Sequence, residues 1–105
     1  MKQYLSPEQT AKLIELGFEP STRIPFEVGN DELGRTFSIG ELIEMLPPII
    51  VWKKKNLAST IARTTFNSFV SYAELDGTPH IVEKSAELID AVYAMILQLK
   101  EKGVI

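Results

Sequence analysis

Trp52-Lys53-Lys54-Lys55 sets an aromatic ring directly beside three ammonium groups and is the strongest basic concentration in the sequence. An indole next to lysines can stack a nucleic-acid base while the lysines hold phosphates. Arg63, read as a cross-strand neighbour, would extend that patch. The same residues also suit a solvated loop that blunts a sheet edge, because lysines discourage edge pairing. Trp52, Lys53, Lys54, Lys55 and Arg63 are therefore the candidate binding residues, with solubility as the competing role.

His80 is the single histidine, so any imidazole chemistry runs through it. A catalytic or ligating histidine needs an orienting partner and either a nucleophile or metal co-ligands. Asp76 belongs to a turn and Glu83 has no evident geometry with His80, so the expectation is a partly exposed strand histidine. Carboxylates pair at Asp31-Glu32, Glu41/Glu44 and Glu87/Asp90. Glycosidase or metal work would need a second convergent set in a cleft, and these pairs read as dipole-favourable surface charge. Gly29-Asn-Asp-Glu-Leu-Gly34 lacks the lysine and the strand-to-helix setting of a phosphate loop, and no G-x-S-x-G motif occurs. Phe66, Phe69, Tyr72 and Tyr93 are expected in the core, with hydroxyls at its rim. No catalytic, cofactor-binding or metal-ligating residue is assigned, no cofactor is called for, and a non-enzyme is expected.

Composition sets the frame for these residues. The 105 residues suit one domain, 1–105, with a single core. Hydrophobic residues at 45% and charged residues at 24% exclude a disordered chain. The net charge of −3 runs against a general nucleic-acid binder, leaving only a local patch for that role. The absence of cysteine removes disulfides, thiolate metal sites and a cysteine nucleophile, and fits a reducing cytoplasm. The opening MKQYLSPEQT has no apolar core of a secretory signal. No apolar run reaches the roughly 20 residues of a membrane span.

The elements that must position the patch are legible from caps and breakers. Ser6-Pro7-Glu8-Gln9 predicts a capped helix carrying Ala11, Leu13, Ile14 and Leu16 and ending at Gly17, with Phe18 folding back onto Leu13. Between Glu19 and Gly34, Pro20, Pro25, Gly29 and Gly34 predict a loop or ragged hairpin, with Ile24–Val28 at most an edge strand. Ser38-Ile39-Gly40-Glu41 is a second capping box, its helix stopped by Pro47-Pro48. From Ile49 the pattern turns to β: Ile49–Trp52, an interruption at Lys53–Asn56, Leu57–Thr65, a turn at Asn67-Ser68, Phe69–Leu75, then Asp76-Gly77 as a hairpin signal before His80–Val82. This predicts an antiparallel meander of three to four strands with one polar face and one face covered by helices.

A closing helix is predicted from near Ser85 to Gly103. Leu88, Val92, Met95 and Leu99 form one stripe, flanked by Ile89, Ala91 and Ile96, and Tyr93 and Leu97 carry the apolar surface further round. One packing partner needs roughly a 100° arc, and this helix offers about twice that. Ile89, Tyr93 and Leu97 are thus candidate interface residues, to be covered by an N-terminal helix or by another chain.

Tyr4-Leu5-Ser6-Pro7-Glu8-Gln9, Leu16-Gly17-Phe18, Phe37-Ser38-Ile39-Gly40-Glu41-Leu42-Ile43 closing in Leu46-Pro47, Leu88–Tyr93 and Glu101–Ile105 together resemble a group of short uncharacterised proteins of Bacteroides-like gut bacteria and their phages or mobile elements. The resemblance rests on packing and capping motifs, so it implies a phage or mobile-element context and no site residues. The expected fold is α+β, a meander sheet packed by a long C-terminal helix and two short N-terminal helices. The expected role is a non-enzymatic protein-binding or assembly module, acting on a protein partner or as a homodimer. The alternative is a nucleic-acid-associated accessory protein using the Trp/Lys patch. No membrane partner is expected.

Overall fold

Both N-terminal helices begin at their capping boxes. In the computed structural model, which describes residues 4–19, 22–23 and 35–105, Ser6 Oγ accepts from the Gln9 amide at 3.2 Å and Gln9 Oε1 accepts from the Ser6 amide at 3.1 Å. These bonds open α1 (Pro7–Glu15) by satisfying two amide groups that a helix start leaves without partners. Its end is a Schellman motif: Gly17 donates to the Ile14 carbonyl and Phe18 to the Leu13 carbonyl, each at 3.0 Å. Gly17 sits at φ +100°, where a side chain would be strained. Phe18 then packs half-buried against the core.

Two-residue strands follow, β1 (Thr22–Arg23) and β2 (Arg35–Thr36), paired antiparallel. The edge-strand reading of Ile24–Val28, the Gly29–Gly34 turn and the Asp31-Glu32 pair lie outside the described residues. Helix α2 (Ile39–Met45) opens on Ser38, whose Oγ accepts from the Glu41 amide at 3.2 Å. Phe37 and Leu42 on either side of that cap are buried.

The four-stranded sheet runs β3 (Ile49–Trp52), β4 (Lys55–Arg63), β5 (Ser68–Ala73) and β6 (Pro79–Ser85), each strand antiparallel to the next in chain order. The upper end of the expected strand count is the observed one. The interruption expected at Lys53–Asn56 is only a two-residue turn, Lys53-Lys54, and Lys55 already pairs with Trp52. The turn expected at Asn67-Ser68 lies at Thr64–Asn67, where the Thr64 amide donates to the Asn67 carbonyl at 2.7 Å. Asp76-Gly77 does form a hairpin, through the five-residue loop 74–78. Gly77 takes φ +94° and the Thr78 amide bonds to the Asp76 carboxylate at 2.9 Å. A bulge at His80 shifts the register, so Tyr72 faces Ile81 while Ala73 faces Pro79.

Helix α3 (Leu88–Glu101) starts three residues later than expected, because Ser85 still belongs to β6. Its end repeats the Schellman geometry, with Gly103 at φ +74° and Val104 donating to the Leu99 carbonyl at 2.9 Å. Ile89, Ala91, Val92, Met95, Ile96 and Leu99 are fully buried against Leu57, Val70, Tyr72 and Ile81 of the sheet and Leu13, Phe37 and Leu42 of the N-terminal part, forming one core. The second cover for the wide apolar arc is therefore supplied inside the chain: α2 packs on α3, and Gln9 of α1 donates to Asp90 at 3.0 Å. No helix among the described residues is long and apolar enough to cross a membrane.

Candidate functional site

Cross-strand pairing decides which residues share a face, since directly opposed residues point the same way. The helix-covered face carries the pair Ile50 and Leu57 in one row and Ser59, Tyr72 and Ile81 in the next, with Ile50, Leu57, Tyr72 and Ile81 all buried. Tyr72 lies at the centre of the second row, with its hydroxyl donating to the Pro47 carbonyl at 2.7 Å. Burial pushes the Tyr72 phenol up to about 12, because the charged phenolate would have to sit in apolar surroundings.

The opposite face carries Ile49, Ala58 and Ala73 in one row, Thr60, Ser71 and Val82 in the next, and Ala62, Phe69 and Lys84 in a third. Val51 and Asn56 add a short row beside the turn. Ile49 is 63% exposed, Val51 67% and Val82 49%. This face was expected to be polar and is instead apolar and small-residue, with Lys84 its one charge among these positions. The cause is in β3 and β4, where Ile-Ile-Val-Trp and the alanines put apolar groups on both sides of the strand.

At one end of the sheet the Lys53-Lys54 turn holds two consecutive non-glycine residues at positive φ, +50° and +65°. A two-residue hairpin of the favoured hand demands that geometry, and Asn-Gly usually supplies it. Each lysine there carries a conformational cost of about 1–2 kcal/mol. Lys53 Nζ lies 4.5 Å from the Trp52 ring centre, and Lys102 Nζ, from just beyond α3, lies 5.4 Å from the same ring. Lys100 caps the Phe18 ring nearby at 5.6 Å. These cation–π contacts hold the indole between cations of the chain itself.

The sequence-predicted patch is only partly assembled. Trp52, Lys53 and Lys54 stay together, but Lys55 is paired with Glu74 at 3.1 Å. Arg63 is not a neighbour: its cross-strand partner is Ser68, and eight strand residues put it about 26 Å from Lys55. Of the candidate interface residues on α3, Ile89 is enclosed by its own chain, while Tyr93 and Leu97 are half-buried against the core. His80 finds an orienting carboxylate in Glu74, at 2.7 Å, and not in Asp76 or Glu83. Hydrogen bonds from His80 and Lys55 hold the Glu74 carboxyl below its ordinary range. Glu83 instead accepts from Gln98 of α3. Among the described residues no group of three metal-ligating side chains converges, and Glu41 serves as a cap.

The chain matches no known protein family, no curated protein and no solved structure. Its candidate surfaces therefore rest on geometry alone. Sequence reasoning missed three contributors: Glu74, Lys102 and the open face of Ile49, Val51, Phe69 and Val82. The first two reach their partners across a loop and across the fold, so spacing in the chain carries no sign of them.

Proposed function

We propose that this protein is a non-catalytic protein-binding or assembly module that works through the open face of its sheet. The observation that carries this reading is the exposure of Ile49, Val51 and Val82 on a face where helices cover only the other side. Contiguous exposed apolar surface marks interaction sites, whereas single exposed apolar residues are ordinary. Phe66 in the β4–β5 turn and Leu75 in the β5–β6 loop, 81% and 98% exposed, add apolar tips at the two ends of β5. The cysteine-free composition favours a cytoplasmic setting. The resemblance of its capping segments to short proteins of Bacteroides-like gut bacteria and their mobile elements favours an accessory role in that context.

A photo-crosslinking residue placed at Val82, on the open face, is expected to capture a protein in native-host extract, while the same residue at the exposed Glu101 of α3 is not. Equal capture from both positions, or none from Val82, overturns the reading.

A second reading keeps nucleic acid as the partner of the turn, because Lys102 converges with Lys53 on Trp52. Three lysines on a single strand predict a log-affinity slope against log salt of about −2. Lys53→Glu with Lys102→Glu should abolish a low-salt mobility shift, and a shift that persists in that variant excludes the turn as the site.

A further inference from the structure

Among the described residues the sheet has two edges, β3 and β6, and they are built differently. Natural edges are blunted by proline, charge and bulges, because their unpaired backbone groups template another strand. Edge β6 has all three: Pro79 at its start, the irregularity at His80, and Glu83 and Lys84. Edge β3, Ile49-Ile50-Val51-Trp52, has neither charge nor bulge, and Pro48 precedes it.

The pairing of β3 with β4 tells which backbone groups that edge leaves open. Trp52 and Lys55 close a two-residue turn, so they exchange hydrogen bonds, and alternate residues then face alternate ways. The Ser59 amide donates to the Pro48 carbonyl at 3.0 Å, four residues further along, which fits that alternation. Pro48, Ile50 and Trp52 therefore direct their backbone groups at β4, and Ile49 and Val51 direct theirs outward. Neither outward residue has a backbone partner among the described residues.

We infer that this edge pairs with the β3 edge of a second copy, antiparallel about a two-fold axis at Ile50, giving a continuous eight-stranded sheet. The inference rests on the assembly reading above and names its partner and surface. The two outward residues lie symmetrically about Ile50, so Ile49 meets Val51 of the second copy and Val51 meets its Ile49. Both are hydrogen-bonded pairs, and together they use every outward donor and acceptor of the two residues. A two-fold contact is self-complementary, so one short edge suffices for both partners. On the open face the same pairs bring Ile49 and Val51 side chains together. The basic turns do not oppose each other, since Lys53 falls opposite Pro47 of the second copy, about 20 Å from the other Lys53, beyond screening distance at physiological salt. The contact is short against the roughly 800 Å² per partner of a standard interface, so the dimer is a weak one, formed at high protein concentration.

The absence of native cysteine allows a register test. Two full-length variants, Ile49→Cys and Val51→Cys, are made at exposed positions and checked for unchanged thermal unfolding. In the inferred register residues 49 and 51 of opposite copies stand about 5.5 Å apart at Cα, within disulfide reach. Two copies of either position alone stand about 8 Å apart, beyond it. Mild oxidation of the mixture is expected to give a covalent dimer of the two different chains, with only traces from each variant alone. Sedimentation equilibrium of the unmodified chain is expected to show concentration-dependent dimer that Ile49→Lys with Val51→Lys removes. Equal yields from mixed and separate variants, or no covalent product, overturn the inference. Capture from Val82 together with failure here leaves the assembly reading standing without this edge, and failure of both removes both.

Discussion

On the helix side of β5, Ser68, Val70 and Tyr72 are buried, while on the other side Phe69, Ser71 and Ala73 are only half so. The two sides share one backbone and one set of hydrogen bonds, so those bonds cannot explain the difference. What differs is the partner. The covered side is closed by α3 and α2 and holds the core cluster. The open side presents small and β-branched residues to solvent. Stability should therefore reside on one side and tolerance to change on the other, and a binding role can use the tolerant side without cost to the fold.

The largest expected effect tests the covered side. Ile96→Ala, deep between sheet and helices, should destabilise the protein by about 3 kcal/mol, read as a lower denaturant midpoint with unchanged slope. If it costs less than one third of that, the interior is looser than its burial indicates. Tyr72→Phe comes next, with an expected loss of about 1–2 kcal/mol, since it strands the Pro47 carbonyl.

The same variant has a pH signature. The folded phenol is pushed up to about 12, so its contribution is complete below the unfolded value of about 10 and is lost as pH rises toward the folded one. Stability of the parent should fall between those values, and Tyr72→Phe should flatten that part of the curve. Unchanged alkaline slopes in the two proteins would mean that the phenol does not stay protonated in the fold.

Lys53→Asn with Lys54→Gly tests the turn where the two sides meet. Relief of positive φ on two lysines, less the lost Lys53–Trp52 contact, should raise stability by about 1 kcal/mol. A decrease would mean that the cations around the indole hold the hairpin more tightly than its turn geometry strains it. The smallest effect belongs to the open side: Val82→Thr should change stability by about 0.5 kcal/mol or less. A loss comparable to that of Ile96→Ala would abolish the distinction between the sides.

Local rules carried much of this fold into view. Ser6/Gln9 and Ser38/Glu41 are reciprocal caps whose geometry depends on neighbours three residues away, and Gly17 and Gly103 stop helices for reasons internal to one turn. These features are legible because nothing distant alters them. The Lys53-Lys54 turn was not, because residue preference calls for asparagine and glycine there and lysine reads as a break. The apolar open face was hidden for another reason: Ile49-Ile50-Val51-Trp52 is apolar at every position, so no alternation tells which side is inward. Of the candidate site, Trp52, Lys53 and Lys54 were found together, Arg63 was misplaced by a strand's length, and Glu74 and Lys102 join only through tertiary contact.

The order of synthesis adds something to the placement of α3. Every strand that it covers leaves the ribosome before it does. Until Ile89 to Leu99 emerge, the nascent sheet lacks its lid, and Leu57, Val70, Tyr72 and Ile81 are as accessible to other chains as Val82 is in the finished protein. The interval between translation of β6 and docking of α3 is thus when the polypeptide is most prone to misassociation and most in need of a chaperone.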